Sequence, residues 1–200
     1  MLFYQQHRVH ILLQRAIRDQ SMPDLRWDIL AEQVAYSCEG FDVVNQRVRL
    51  PDGTGTEFDY LSETESVVIL PFDTDGNVVV IEEWRQAVER VNRGLPAGSL
   101  ESGEDPAEAV HRELAEETGH EADAIRHLTT VEPANGYADS LFHYFVARDC
   151  EPAGEQSLDI DESIEVGAAD YDDLLAAIRD GEFPDGRSAF AICYFELFAE

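Results

Sequence analysis

Residues 98–119 read GSLESGEDPAEAVHRELAEETG. Gly98 is followed after five residues by Glu104, and seven more lead to Arg112-Glu113-Leu114, then Glu116, Glu117 and Gly119. At about 100° per residue, Glu113, Glu116 and Glu117 share one face of a helix, at i, i+3 and i+4. Carboxylates this close repel one another unless a cation sits among them. Oxygen donors of this hardness suit Mg²⁺ or Mn²⁺.

The helix is marked at both ends. Asp105 suits the N-cap, Pro106 the first helical position, and Glu108 is spaced to complete a capping box. Gly119 reads as the stop. Arg112 is placed to pair with Glu104 or with a cluster carboxylate and fix its orientation. In a chain with 42 acidic residues, a Glu-rich helix is ordinarily a solvated face. That reading leaves the glycines, the single arginine and the spacing unexplained together.

The segment resembles the Nudix box, G-x5-E-x7-R-E-U-x-E-E-x-G-U, at every fixed position; only the final apolar position departs, being His120. Strands interleaved with helices along the chain point to an α/β/α sandwich with a mixed sheet, preceded by an N-terminal β-hairpin, and the resemblance implies the same sandwich. The resemblance also implies a metal-dependent pyrophosphohydrolase, with Glu113, Glu116 and Glu117 as metal ligands and the Ala97 carbonyl beside them. Leu95-Pro96-Ala97-Gly98 resembles the ADP-ribose pyrophosphatase branch, which often carries Glu where this chain has Gly94.

Three further stretches resemble that branch. Glu83-Trp84-Arg85-Gln86 is similar to a strand end whose arginine contacts substrate phosphate, which makes Arg85 a candidate; the alternative is a surface ion pair. Pro133, fourteen residues beyond Gly119, opens a loop similar to the branch's pocket-shaping P-x-x-G-[FY]-[SA]-D, although Ser140 replaces the acid that commonly follows. The loop 159–166 is similar to one that brings a catalytic or metal-binding carboxylate. Glu162 is its best match and the candidate general base, with Glu116 in reserve; Glu104 and Arg112 brace the cluster. The alternative for Glu162 is an ordinary acidic loop.

Composition bounds the partners. The net charge is −28, and all 14 basic residues are arginine. Aromatics at 10% argue for a folded chain rather than an acidic disordered one. So negative a field disfavours nucleic acid and anionic membranes. We expect a cytoplasmic protein of a high-salt cell, where self-repulsion is screened; an acidic mesophilic protein is the alternative. Cys38, Cys150 and Cys193 are too widely spaced for zinc and are expected to be free core thiols.

Three regions are expected: an extension over 1–21, a hairpin region over 22–62 and the main domain over 63–200. In the extension, Val9, Leu12, Leu13, Ala16 and Ile17 recur at helical spacing among arginines. We read it as non-native or the product of an upstream start; a transit-like segment and a docking helix for a partner are the alternatives. Strands over 41–50 and 57–61 flank the turn signal Pro51-Asp52-Gly53 and read as a hairpin, and strands over 66–72 and 78–84 flank Asp73-Thr74-Asp75-Gly76-Asn77 and read as a second. Further strands are predicted over 124–131, 141–147 and 163–168, with helices over 171–179 and 187–198. The histidines show no metal-ligand spacing, and His111 and His143 read as structural. Trp84 and Tyr137 could stack on a base, although core packing is the commoner fate of such residues.

The expected substrate is ADP-ribose, cleaved to AMP and ribose 5-phosphate. Other nucleoside diphosphate sugars and oxidised nucleotides are alternatives, and so is a non-hydrolytic ADP-ribose sensor. The intact box and the charge oppose the sensor. A homodimer is implied by the resemblance.

Overall fold

The computed structural model of the chain describes residues 24–199. The expectations for residues 1–21 therefore lie outside the described residues. The chain divides into two compact units, one running to Thr64 and including Glu132–Leu141, the other comprising Glu65–Val131 and Phe142 onward.

The first unit is an antiparallel sheet of β1 (Asp28–Ser37), β2 (Phe41–Arg49) and β3 (Gly55–Glu63), in that spatial order. The expected hairpin is β2–β3, turning through Pro51-Asp52-Gly53 with Gly53 at φ +88°. Asp52 fixes the turn by accepting from the Thr54 amide at 2.8 Å. Strand β1 is an addition to the expected elements. Its Ile29, Leu30, Val34 and Tyr36 are all exposed, so no inward-facing alternation marks it. The loop 132–141 pairs with β3: Leu61 N–H donates to Tyr137 O (2.8 Å), and Asp139 N–H to Leu61 O (3.1 Å).

The second unit is a mixed sheet between helices. Its strands are β4 (Ser66–Asp73), β5 (Val78–Arg85), β6 (Arg90–Gly94), β7 (Ala97–Ser99), β8 (His120–Val131), β9 (Phe142–Pro152) and β10 (Ile164–Ala169). The order is β10-β5-β4-β9-β8, with β6 on β5 and β7 on β4. Only β4–β9 is parallel. The predicted second hairpin, β4–β5, pairs at its tip alone, Phe72 with Val78. Beyond the tip each strand finds another partner: β4 takes β9 and β7, β5 takes β10 and β6. Asp73 closes the tip by accepting from the amides of Asp75 (2.9 Å) and Asn77 (2.8 Å).

Period-2 alternation along buried strands sorts side chains into two cores. Val67, Ile69, Val79, Phe145 and Ala147 face Ala109, Val110 and Leu114 of α1 (Pro106–Thr118). Val68, Leu70, Phe72, Val78, Tyr144 and Val146 face Leu174 of α2 (Tyr171–Asp180) and Ala191, Ile192 and Phe195 of α3 (Gly186–Phe198). This is the expected α/β/α layering. Of the cysteines, Cys150 is a buried thiol pushed up to about 12 by burial, whereas Cys38 is exposed and Cys193 half-buried. The expectation of core thiols holds for Cys150 alone. No helix among the described residues is long and apolar enough to cross a membrane.

Candidate active site

Helix α1 begins as its sequence predicts. The Asp105 carboxylate accepts from Ala107 N–H at 2.8 Å, Pro106 follows, and Gly119 ends the helix at φ +68°. A side chain at Gly119 would also strike the Gly154 carbonyl, at 2.5 Å. Among the described residues, Glu108 makes no reciprocal capping bond, so only half of the expected box forms. His120 takes up its polar character locally, its Nδ1 lying 2.8 Å from the Thr118 carbonyl.

One guanidinium organises the loop and the helix. Arg112 grips Glu104 with two parallel bonds, Nε to Oε1 and Nη2 to Oε2, each 2.8 Å. Such a fork is among the strongest charge-assisted pairs. Nη2 also donates to the Ser99 carbonyl (3.0 Å), and Nη1 donates to Glu113 Oε1 (2.8 Å) and Glu116 Oε2 (3.0 Å). Glu104 in turn accepts from Glu101 N–H at 2.8 Å. The Arg112 bond holds the Glu104 carboxyl below its ordinary value. The spacing left open whether Arg112 meets Glu104 or the cluster; it meets both.

The cluster is graded in burial. Glu117 is 3% exposed and Glu113 7%, whereas the Glu116 side chain is 42% exposed. Burial pushes Glu113 up to about 7 despite Arg112, and Glu117 up to about 8. The negative charge of Glu162 adds to both shifts, which places this loop residue within electrostatic reach of the helix. Glu162 itself turns back on its loop, Oε2 accepting from Asp159 N–H at 2.9 Å. Glu117 Oε2 accepts from Ala97 N–H at 2.9 Å. Gly98 is glycine for want of room: a Cβ there would fall on the Glu113 carboxylate.

The donor chemistry fits a hard divalent cation: two buried carboxylates and a third half-exposed one, with glycine where a side chain would fill the gap. Among the described residues, no three metal-ligating side chains stand close enough to form a finished cluster. Arg112 holds one oxygen each of Glu113 and Glu116.

Arg85 ends β5, and its Nη2 lies 2.7 Å from Glu83 Oε2. Sequence reasoning passed over Glu83 as a site residue. It is 7% exposed, and Oε2 has no hydrogen-bond donor, so the Arg85 contact is an ion pair without hydrogen-bond geometry. Burial raises the Glu83 carboxyl, and Glu83 in turn adds to the raised Glu117. The signal was present in the alternation Val79, Ile81, Glu83, which puts an acid at an inward position. A cleft beside it is lined by Glu83, Arg85, Asn92 and Asp185. Trp84 and Tyr137 are exposed rather than packed in a core, and Trp84 alternates to the strand face opposite Arg85. His143 is structural, bonded to Glu65 (2.6 Å) and Thr130 (3.0 Å). Pro133 belongs to the first unit, in the loop that pairs with β3.

Comparison with known proteins bears on the family and the fold. Residues 63–188 match the NUDIX domain. The chain is 30% identical over 177 residues to the ADP-ribose pyrophosphatase of Bacillus subtilis (strain 168), covering 88% of this chain and 96% of that one. It is 26% identical over 163 residues to a GDP-mannose pyrophosphatase of Yersinia enterocolitica, covering 74% and 84%. In fold it is similar to a crystal structure of an ADP compounds hydrolase, with a TM-score of 0.77 at 24% identity over 88% of this chain and 95% of that one. The family match and the relative at 30% identity show that the chain belongs to the Nudix hydrolase family, as a pyrophosphohydrolase similar to its ADP-ribose pyrophosphatases.

Proposed function

We propose that this protein hydrolyses the pyrophosphate bond of ADP-ribose, releasing AMP and ribose 5-phosphate, in a reaction that requires Mg²⁺ or Mn²⁺. The single observation that carries the hydrolytic reading is the buried pair Glu113 and Glu117 on one helix face, with Gly98 leaving the space that a Cβ would fill against the Glu113 carboxylate. Glu113, Glu116, Glu117 and the Ala97 carbonyl would hold the metal, which when bound neutralises the diphosphate and makes water a stronger nucleophile.

The chain's own residues divide the remaining work. Arg112, locked by Glu104, occupies one oxygen of Glu113 and one of Glu116 and so orients the other oxygen of each. Glu162, on a loop within reach of the cluster, is the candidate to take the proton from the attacking water. Arg85 would bind a phosphate oxygen in exchange for its ion pair with Glu83. Pro133 would shape the pocket for the terminal ribose. The first unit would supply contacts for a homodimer.

Similarity to the Bacillus enzyme over nearly the full length of both chains favours ADP-ribose. Similarity to the Yersinia enzyme supports a second reading, a different nucleoside diphosphate sugar. Product analysis tests the proposal: incubation with ADP-ribose and Mg²⁺ yields AMP and ribose 5-phosphate in equal amounts, and EDTA stops it. Intact ADP-ribose after prolonged incubation with saturating Mg²⁺ contradicts it.

A further inference from the structure

The stretch Gly94-Leu95-Pro96-Ala97 joins β6 to β7, and side chains of two different helices fasten it. Ala97 N–H donates to Glu117 of α1. Leu95 N–H donates to Ser188 Oγ of α3 at 2.8 Å, both residues being buried. Ser188 Oγ donates its own proton to Asp185 Oδ2 at 2.5 Å. The direction is forced, because an amide only donates and an ionised carboxylate only accepts. Pro96 has no N–H, and its carbonyl accepts from Ile69 N–H at 2.9 Å.

Two details tie Asp185 to this stretch. It is the N-cap residue of α3, yet its carboxylate caps no backbone N–H and takes the Ser188 hydroxyl instead. A Cβ on Gly94 would lie 2.9 Å from Asp185 Oδ2 and 3.2 Å from Ser188 Oγ. Glycine at 94 makes room for this pair.

We propose that Asp185 and Ser188 are positioning residues for the metal site: through the Leu95 amide they hold the Leu95–Ala97 stretch in register with Glu117. The proposal rests on the reading of Glu117 and the Ala97 carbonyl as metal ligands. Removing the Ser188 hydroxyl leaves a buried amide without its acceptor, and the stretch must shift to find another. Asn at 185 still accepts from Ser188, whereas Ala does not.

The test uses Mn²⁺ alone as the probe, measured by calorimetry on the full chain, with melting temperature and amide exchange at Leu95 alongside. Partners that orient a metal ligand change affinity by about 10-fold or more. S188A is expected to weaken Mn²⁺ binding about 10-fold and to speed exchange at Leu95. D185A is expected to weaken binding several-fold, and D185N to retain the wild-type affinity. Should S188A not fold, D185A and D185N carry the comparison. Wild-type Mn²⁺ affinity in folded S188A and D185A overturns the proposal, as does equal weakening by D185N and D185A. If E117Q loses Mn²⁺ while S188A and D185A bind normally, the metal reading stands and only the positioning role falls. If the wild-type chain binds no Mn²⁺ at millimolar concentration, the metal reading falls and the proposal with it.

Discussion

The carboxylate of Glu117 accepts a 2.9 Å hydrogen bond from the amide of Ala97, tying the third glutamate of the helical cluster to the strand residue beside Gly98. The bond opposes the upward shift of this buried carboxyl, and burial outweighs it. Glu117 is thus held in place yet left short of positive charge. Changing Glu117 to Gln keeps the shape and removes a hard anionic donor. Turnover should fall at least ~10²-fold, about 2.7 kcal/mol of barrier, with the fold retained. Steady-state rates at saturating Mg²⁺ check this; near-wild-type turnover removes this face as the metal site.

The raised carboxyls also make stability depend on pH. Glu113 and Glu117 move from 4.5 to about 7 and about 8, so the folded chain binds these protons more tightly than the unfolded one. Their contribution is full below about pH 4.5 and is lost as pH rises through 7 to 8. In EDTA the melting temperature should fall over that window, reflecting a stability loss on the order of a few kcal/mol. Mg²⁺ should restore it at pH 8.5 and do little at pH 5.5. General acidic repulsion has the same sign, so the Glu113→Gln, Glu117→Gln double variant is the control. A Mg²⁺ effect that persists in it assigns the stabilisation elsewhere.

Much of this site was legible in residues 98–119, because a capped helix with fixed spacing is local: Asp105, Pro106 and Gly119 act on their neighbours. The layering was legible too, since the short apolar runs at 66–72 and 78–84, interleaved with helices, mark buried strands without knowledge of the partner strand. What escaped was non-local. Strand β1 buries too little to show a pattern, and β4 leaves its sequence neighbour β5 to run parallel with β9. Ser188 meets Leu95 across 93 positions, and nothing local to Asp185 or Ser188 marks that pairing. Glu83 stands in the shadow of its neighbour Arg85, although an acid at an inward strand position was itself the signal.

Arg85 offers a test of substrate contact. If it leaves Glu83 for a phosphate oxygen, R85A loses a charged hydrogen bond worth about 1.5–3 kcal/mol, or roughly 10–100-fold in kcat/KM. The change should fall mainly on KM, and the melting temperature should drop as well, because the buried Glu83 loses its ion partner. An unchanged KM for ADP-ribose returns Arg85 to a surface ion pair.

The net charge of −28 without a lysine should make the fold sensitive to salt. Screening shortens the Debye length from ~10 Å at 0.1 M to ~3 Å at 1 M. Melting temperature should climb steeply with KCl from 0.1 to 2 M. A flat or falling curve argues for an ordinary acidic protein.

The central claim is the substrate, and specificity constants test it most directly. Contacts remote from the reacting phosphorus discriminate only by favouring one transition state over another. At equal Mg²⁺, kcat/KM for ADP-ribose should exceed that for dGTP by at least ~10²-fold, about 2.7 kcal/mol. ADP-glucose and GDP-mannose should fall between them. If dGTP or an oxidised nucleoside triphosphate is the best substrate, the ADP-ribose assignment is wrong, although the Nudix chemistry stands.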